Sequence, residues 1–433
     1  MSPIPDTLIE AIRTTVESRR TDIVQLLLDL VAVPSVTGAE GAVQGVVERN
    51  YALRGLEIDR WEATREDIAD YIVHVGEQAV YVNRPNLVGT RRGAGGERAR
   101  SLMLQGHIDT VDNGDPGLWT RNPLGEATAD RIYGRGAADM KGGIATYISV
   151  LDVLDALGLK LKGDLLLAAS VGEEDGGLGA LSTMLRGHRA DAALISEPTN
   201  LEVVIAGGGS LVFRITVHGK SAHGAHRDQG VSAVEKFYPI FHDLLAWEAE
   251  RNRELSHPLY DGYGNKFPIS VGLVRAGTWA STVPEVLVAE GRLGFLPGET
   301  IEGMQAQAEA RIMAVANDDP WMREHPPAIE WFGGQFASSE ISPDEPIAQT
   351  IAAAHRTVTG NETRFVGVTA GLDKRLLVNI GGIPTAVYGA GDTNFVHCAD
   401  EWIGIDDLLT AIEVSTVAVI EWCGLAAEDL DES

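Results

Sequence analysis

Six ionisable residues stand shortly after short apolar runs, in the loop that follows such a run, or before a helical pattern, where side chains can meet to do chemistry. They are two histidines and four carboxylates: His107, Asp139, Glu173, Glu174, Glu197 and His397. Imidazole and carboxylate groups both bind divalent metal ions, and two histidines with three carboxylates can hold two ions if one carboxylate bridges them. The pattern therefore predicts a two-metal site of the kind that serves hydrolysis.

The apolar runs that precede these residues predict strands of one sheet. The runs cover residues 101–106, 164–171, 191–196 and 384–389. Asp139 instead precedes apolar residues that recur at helical spacing from 144 to 154. In open α/β sheets, sites assemble beyond the carboxyl ends of strands. Four strand ends and one helix entrance are therefore expected to converge on a single crevice.

Strands that alternate with helices predict an α/β fold, with a mostly parallel sheet and helices on both faces. Residues 61–84 are polar and irregular and are interpreted as an insertion. From about residue 207 the order becomes βαββαβ, which is the ferredoxin-like unit. Glycines at 207–209 and 333–334 flank this unit and suit hinges. Because His397 follows the unit and must reach ligands that precede it, the unit is predicted to be an insertion.

The predicted domain division follows from that insertion. Residues 1–206 and 335–433 form the metal-binding domain, and residues 207–334 form an inserted lid and dimerisation domain. Two domains also suit a chain of 433 residues, because single cores stop growing near about 250–300 residues.

The overall charge argues against several classes of partner. Asp and Glu number 62 against 35 Lys and Arg, which gives a net charge of −27. Nucleic acids and anionic membrane surfaces are bound through clustered basic residues, so neither is expected as a partner. The chain has two cysteines, no basic and apolar leader pattern, and no apolar run near the ~18 residues of a membrane helix. We therefore expect a cytoplasmic protein that acts on a small molecule.

Several motifs in order along the chain resemble one known family. They are Gly106-His-Ile-Asp-Thr-Val111, Tyr133-Gly-Arg-Gly-Ala-Ala-Asp-Met-Lys-Gly-Gly143, Gly172-Glu-Glu174, Ser196-Glu-Pro-Thr199, Gly219-Lys-Ser-Ala-His223 and the run from Gly381 to His397. The chain resembles the two-zinc amidohydrolases and exopeptidases that include acetylornithine deacetylase, succinyl-diaminopimelate desuccinylase and aminoacylase. The resemblance covers nearly the whole chain.

The resemblance implies how the ligands are shared between two metal ions. His107, Asp139 and Glu197 would hold one ion, and Asp139, Glu174 and His397 the other, with Asp139 bridging. Zinc is expected, although histidine and carboxylate ligands also suit cobalt or manganese.

The resemblance also implies catalytic roles. Glu173 would be the general base toward a metal-bridging water. His223 would cross to the partner subunit's site and stabilise the oxyanion, which implies a homodimer formed through the lid. Independently of the resemblance, Asp109 lies two residues after His107 and is placed to hydrogen-bond its imidazole.

Three departures from the family pattern concern the substrate. Gly294 stands where the family often has an arginine that binds a substrate carboxylate. Either Arg292, two residues earlier on the same strand face, takes that role or the carboxylate is bound elsewhere. Arg227 replaces a usual proline and adds a cation near the site mouth. The family's Gly-Thr-Asp-x-Arg run is represented by Gly371 and the four residues that follow it. Candidate substrate-binding residues are therefore Arg292, Arg227 and Gly371.

The predicted function is metal-dependent hydrolysis of the amide C–N bond of a small N-acyl amino acid or related amide. The alternatives are an exopeptidase of the dipeptidase or carboxypeptidase type, or a hydrolase of another small non-peptide C–N bond such as that of an aromatic amine. A catalytically silent relative would require a broken ligand or base, and every one of these positions is intact.

Overall fold

The computed structural model describes residues 4–97 and 99–426, and its largest sheet has nine strands. The strands are β1 (Glu57–Glu62), β2 (Pro85–Arg91), β3 (Leu102–His107), β4 (Glu126–Ala127), β5 (Arg131–Tyr133), β6 (Leu165–Ser170), β7 (Ala192–Ile195), β8 (Val203–Gly207), β9 (Gly209–His218), β10 (Ile269–Ala276), β11 (Val286–Phe295), β12 (Ala328–Trp331), β13 (Ser339–Glu340), β14 (Phe365–Val368), β15 (Thr385–Val387) and β16 (Trp402–Gly404). The helices are α1 (Asp6–Ser18), α2 (Arg20–Val31), α3 (Gly41–Leu53), α4 (Ile72–Val75), α5 (Gly142–Ala156), α6 (Leu178–Leu185), α7 (Ala233–Glu254), α8 (Ile301–Asp318), α9 (Pro320–Glu324), α10 (Pro346–Thr359), α11 (Lys374–Asn379) and α12 (Ile405–Cys423).

The centre of the large sheet is parallel. Strands β6, β3, β7 and β15 lie side by side and pair in the same direction. Leu102 and Leu104 of β3 pack with α5 and α12, whereas Met103 between them packs with α6 and α11. Successive side chains of a strand point to opposite faces, and both faces here are covered by helices, so these strands are apolar throughout. The predicted α/β fold class is confirmed.

The margins of the sheet are mixed. Strand β2 pairs antiparallel with β6 and with β1, while β8 pairs antiparallel with β15 and β13 and parallel with β14. The segment interpreted as an irregular insertion, residues 61–84, contains the end of β1 and the single turn of α4. Strand β1 was not predicted, because its exposed charged residues lack the apolar run of a buried strand.

The register of the central strands brings their ends to one edge. His107, the last residue of β3, pairs with Ser170, the last residue of β6. Ile195 and Val387, which end β7 and β15, pair with each other. Because these strands are parallel, the loops that follow them leave the sheet at the same edge.

Helices α5 and α12 fill the core beside this edge. The entrance to α5 lies close to the strand ends, since a Cβ at Gly143 would stand 2.5 Å from the carbonyl oxygen of Ser196. Helix α12 has 19 residues, most of them buried in the main core. Among the described residues, no helix is long and apolar enough to cross a bilayer.

A separate antiparallel sheet has the strand order β10-β11-β9-β12. Its elements follow one another as β9, α7, β10, β11, α8 and β12, with the short α9 before the last strand. Phe213 and Ile215 of β9 pack with residues of α7 and α8, which cover one face of the sheet. The βαββαβ order is therefore present as predicted. These elements span residues 209–331, and the exact domain division at 207 and 334 stays a prediction.

Candidate metal centre

Asp139 lies between the two histidines of the predicted ligand set. Its Oδ1 is 3.0 Å from Nε2 of His107, and its Oδ2 is 3.2 Å from Nε2 of His397. One carboxylate thus offers a different oxygen to each imidazole, which is the arrangement that a bridging ligand requires.

Each histidine also contacts a second carboxylate. Nε2 of His107 is 3.4 Å from Oε1 of Glu197, and Nε2 of His397 is 3.0 Å from Oε1 of Glu174. Ligand atoms of His107, Asp139 and Glu174 all lie within 4.8 Å of one another. The structure therefore brings all five predicted ligands together, in the two groups of three that the family resemblance implies.

Local structure explains how these side chains reach the edge. His107 ends β3, and Glu174 and Glu197 follow β6 and β7 within a few residues. Asp139 lies in a turn at Ala137–Lys141 directly before α5, and Asp139 itself has non-helical backbone angles. His397 has a φ of 56°, in the left-handed region that few non-glycine residues occupy, and such positions cluster at functional sites.

The charge of this cluster suits divalent cations. The carboxylates of Asp139 and Glu174 raise the pKa of His397 to about 10, and burial raises the pKa of Glu197 to about 8. Both shifts mean that protonation, which adds positive charge, is favoured among these histidines and carboxylates. Imidazole nitrogens and carboxylate oxygens are donors that Zn²⁺, Co²⁺ and Mn²⁺ accept, so the residues fit a pair of such ions.

Asp109 supports both the metal ligands and the loop after β6. Its Oδ1 and Oδ2 accept hydrogen bonds from the backbone amides of Glu173 and Glu174, at 3.1 and 3.2 Å. Thr37 donates a further hydrogen bond to Oδ2. Nδ1 of His107 is 3.0 Å from the backbone oxygen of Asp109 and 3.6 Å from Oδ1. The imidazole thus contacts the backbone oxygen of Asp109, and the carboxylate of the same residue lies close to the same nitrogen.

Glu173 is buried beside this cluster without being one of the paired carboxylates. Its side chain is 7% exposed, and its Oε1 has no hydrogen-bond partner among the described residues. Burial raises the pKa of Glu173 well above its usual value, and the nearby charge of Asp373 raises it further. A buried carboxyl group with a free oxygen and a raised pKa is suited to accept and release a proton.

Glu401 and Arg135 are site residues that the sequence analysis missed. Oε1 of Glu401 accepts hydrogen bonds from the backbone amides of Ala138 and Asp139, and its Oε2 accepts one from Arg135 at 2.6 Å. Glu401 follows His397 by four residues, so one buried carboxylate joins the loop of His397 to the turn of Asp139. The available signal in the sequence was an acidic residue four positions after a predicted ligand.

Two predicted site residues of the antiparallel-sheet unit lie away from these contacts. His223 begins an exposed turn, where its Nδ1 accepts a hydrogen bond from the amide of Ala225 and its ring lies near that of His226. Arg227 is exposed and pairs with Glu235. Within the described single chain, neither residue has a recorded contact with the five predicted ligands.

The remaining predicted substrate-binding residues lie where the antiparallel sheet meets the large sheet. Arg292 donates to Oγ of Ser210 at 2.9 Å and to the backbone oxygen of Thr369 at 3.1 Å. Burial lowers the pKa of Arg292, and its recorded partners include no carboxylate. A Cβ at Gly371 would stand 2.4 Å from Cδ1 of Phe336, so that position is closed to larger residues.

Gly294 is also explained by its surroundings. A Cβ there would stand 2.9 Å from Cδ of Pro268, whose backbone oxygen accepts a hydrogen bond from the amide of Gly294. A rigid proline ring cannot move aside as a flexible side chain would, so an arginine at this position would require the backbone to shift.

Comparison with known proteins finds a matching family, related sequences and a structure of similar fold. A sequence model of peptidase family M20/M25/M40 matches residues 103–421. An N-formyl-4-amino-5-aminomethyl-2-methylpyrimidine deformylase of Halalkalibacterium halodurans is 28% identical over 96% of this chain and 98% of its own length. The deformylase of the same name from Bacillus subtilis is 25% identical over 98% and 100%. The structure of human carnosine dipeptidase 1 has a TM-score of 0.75 at 13% identity and covers 97% of this chain and 99% of its own.

Proposed function

The chain belongs to peptidase family M20/M25/M40, and on this premise we propose that it hydrolyses the amide C–N bond of a small N-acyl compound with the help of two divalent metal ions. The observation that carries the proposal is the position of Asp139 between His107 and His397, each of which also contacts a second carboxylate. Two ligand groups that share one carboxylate are the signature of a two-metal site.

The ligand assignment extends this proposal. His107, Asp139 and Glu197 would hold one ion, and Asp139, Glu174 and His397 would hold the other. When bound, the ions would polarise the substrate carbonyl and lower the pKa of the attacking water. Glu401 would keep the bridging side chain in place, because it binds the backbone amides of Ala138 and Asp139.

Glu173 would move the proton during the reaction. Its carboxylate takes a proton from water as the water oxygen bonds to the carbonyl carbon. The same group then delivers that proton to the nitrogen as the C–N bond breaks, so the acyl half leaves as a carboxylic acid and the other half as an amine. Burial and the raised pKa of Glu173 support this role, because a proton carrier works best when its pKa lies near the working pH.

The acyl compound is proposed to be small. The two relatives described above are named as deformylases of an N-formyl aminomethylpyrimidine, and they align with nearly the whole chain. Hydrolysis of a short N-acyl group from an amine therefore agrees with the predicted amide chemistry and with the alternative of a non-peptide C–N bond.

A second candidate is favoured by Arg292. This guanidinium is partly buried, and its hydrogen bonds within the described residues go to a hydroxyl and a backbone oxygen rather than to a carboxylate. A buried cation is stabilised by a counter-charge, which the carboxylate of an N-acyl amino acid or dipeptide would supply. Arg292 is thus the proposed substrate-binding residue in place of the arginine that Gly294 cannot provide.

We further propose that the antiparallel sheet and its helices form a lid and a homodimer interface, through which His223 enters the partner's site. Strand β10 is an edge of its sheet, and edges invite pairing with a second copy. Exposed apolar side chains lie on or near this surface, at Val234, Tyr238 and Leu245 of α7 and at Val274 of β10. A two-fold contact of this kind closes on itself and gives a dimer.

Metal analysis and one activity screen test the proposal. Protein prepared without chelator is expected to carry two divalent ions per chain, with zinc the proposed metal and cobalt or manganese the alternatives. The metal-loaded protein is then assayed with N-formyl and N-acetyl amines, N-acyl amino acids and dipeptides. A metal content that stays near zero after reconstitution, or two bound ions with no hydrolysis of any of these amides, would contradict it.

A further inference from the structure

The hydroxyl of Tyr147 joins the ends of two central strands. Tyr147 belongs to α5 and is fully buried. Its hydroxyl oxygen lies 2.7 Å from the backbone oxygen of Gln105 in β3 and 3.2 Å from that of Leu194 in β7. The same oxygen accepts a hydrogen bond from the backbone amide of Ser196 at 2.5 Å. A tyrosine hydroxyl both donates and accepts, so it can bind a carbonyl of one strand and an amide that follows the other.

These contacts fall where the pairing of β3 with β7 stops. The last paired residues of the two strands are Gln105 and Ile195. Ser196 is the next residue, and its amide binds the hydroxyl of Tyr147. A buried backbone group without a partner costs free energy. The hydroxyl therefore supplies a partner at the point where the strands no longer bind each other.

Two proposed metal ligands leave the sheet directly beyond this bridge. His107 follows Gln105 by two residues, and Glu197 follows Ser196. Nε2 of His107 lies 3.4 Å from Oε1 of Glu197. Because one hydroxyl binds both main chains just before these residues, it holds the two strand ends at a fixed separation. The spacing of the two ligands thus depends on Tyr147.

The third ligand of the same group is connected to Tyr147 through α5. Asp139 lies in the turn directly before this helix. Gly143 stands one turn before Tyr147 on the same face of the helix. A Cβ at Gly143 would come within 2.5 Å of the backbone oxygen of Ser196. The glycine therefore lets the helix approach closely enough for the hydroxyl to reach both chains.

We propose that Tyr147 is a positioning residue for the first proposed metal ion, the one assigned to His107, Asp139 and Glu197. The inference rests on the proposed two-metal site and adds a difference between its two ions. The first ion depends on the hydroxyl of Tyr147, and the second does not. Among the described residues, none of the recorded hydrogen bonds of Tyr147 reaches the loops that carry Glu174 and His397.

Cobalt binding measures this role without relying on activity. The full chain is freed of metal with a chelator and titrated with Co²⁺ while visible absorption and bound metal are recorded. Tyr147→Phe keeps the ring and its packing, so the variant is expected to fold. One ion should bind about 10–100-fold more weakly, which is the loss typical of residues that orient metal ligands. Affinity for the other ion should change by less than about threefold, because the hydroxyl does not contact its side of the site.

Single-site variants identify the weakened ion. Glu174→Ala leaves the first ligand group complete, and Glu197→Ala leaves the second group complete. Adding Tyr147→Phe to Glu174→Ala should weaken cobalt binding by about 10–100-fold. Adding it to Glu197→Ala should change the affinity by less than about threefold.

Two other fully buried tyrosines are matched controls. The hydroxyl of Tyr51 has no hydrogen-bond partner among the described residues, and that of Tyr388 lies 2.8 Å from Nδ1 of His355 in α10. Tyr51→Phe removes only a hydroxyl, whereas Tyr388→Phe also removes a buried hydrogen bond that lies outside the ligand strands. Tyr388→Phe is expected to lower the unfolding temperature as Tyr147→Phe does. Neither control should change the affinity for cobalt by more than about threefold.

The outcomes separate the two proposals. A wild-type chain that does not bind two cobalt ions contradicts the proposed two-metal site itself. If the wild type binds two ions and Tyr147→Phe binds both within about threefold of the wild-type affinity, the site stands and the role of Tyr147 is wrong. Equal weakening of both ions, or equal weakening by Tyr388→Phe, would also overturn this role, because the loss would then reflect general destabilisation. A Glu174→Ala chain that binds no cobalt would show that the first ligand group is not a separate site, which likewise contradicts the inference.

Discussion

The carboxylate of Asp109 accepts a hydrogen bond from the backbone amide of Glu173, with 3.1 Å between Oδ1 and the nitrogen. Its other oxygen accepts the amide of Glu174 at 3.2 Å. Asp109 comes two residues after His107, so a single side chain fixes the loop of the proposed base to the strand that ends in a metal ligand. The position of Glu173 therefore depends on a residue that touches neither the proposed ions nor the scissile bond.

Asp109→Asn should lower kcat without unfolding the protein. Asparagine keeps the shape but turns one acceptor into an NH₂ group that faces a backbone N–H, so one amide of the loop loses its partner. Losses of about 10–100-fold in activity or metal affinity are typical for residues that orient metal ligands. Steady-state kinetics and metal analysis provide the measurement. Thr37→Val, which removes only the hydroxyl donor to Oδ2, is the matched control and should have the smaller effect. An Asp109→Asn enzyme with unchanged kcat would rule out this positioning role.

Substitutions at the two adjacent glutamates should have different effects, one on kcat and the other on metal content. Glu173→Gln should keep both ions and lose about 10²–10⁴-fold in kcat, because the amide cannot accept the proton. Glu174→Ala should instead lower the metal content, because it removes a ligand shared with His397. Metal analysis and kinetics on both variants decide the matter, and near-normal kcat in Glu173→Gln would show that another group is the base.

His223→Ala should reduce kcat and leave the metal content unchanged, because the residue lies in an exposed turn away from the proposed ligands. Mixing His223→Ala chains with Glu173→Gln chains tests whether it acts across a dimer. Each mixed dimer would have one site with both residues intact, so activity should return after subunit exchange. Homodimers of each variant, exchanged in the same way, serve as controls. No recovery in the mixture would mean that His223 acts within its own chain or has no catalytic role.

Lys374→Met should stabilise the protein near neutral pH. Lys374 is fully buried, and its nearest recorded partner is Oγ of Ser339 at 3.5 Å, so burial lowers its pKa to about 7. Between this value and the unfolded pKa of about 10.4, the unfolded chain binds more protons, and stability must rise with pH.

Methionine fills a similar volume without a charge, so the gain at pH 7 is expected to be about 1–3 kcal/mol. The difference between variant and wild type should shrink from pH 7 to pH 10. Denaturant unfolding at several pH values measures it, and Lys236→Met, at a partly buried lysine paired with Asp319, is the contrasting control. A destabilised Lys374→Met variant would show that the charge is compensated in the fold.

Much of the candidate metal centre could be predicted from the sequence because most of the predicted ligands stand close to an apolar run that is itself visible in the sequence. His107, Glu174 and Glu197 follow apolar strands, and parallel strands end at a common edge whatever the details of packing. The alternation of strands and helices and the βαββαβ order were readable for the same reason, since hydrophobic periodicity depends on near neighbours. The exposed edge strand β1 escaped prediction because it lacks that periodicity.

Other features were decided only by the tertiary structure. Glu401 binds the amide of Asp139 across 262 residues of sequence, and the side chain of Asp109 is committed to backbone amides 64 and 65 residues away. The hydrogen bonds of Arg292 to Ser210 and Thr369 and the meeting of segment 72–78 with residues 331–336 are likewise contacts between distant parts of the chain. The sequence determined which side chains stand at the ends of which elements. The packing of those elements decides which hydrogen-bond partners these side chains meet. Such contacts join residues that are close in space but distant in sequence, so no periodic pattern along the chain predicts them.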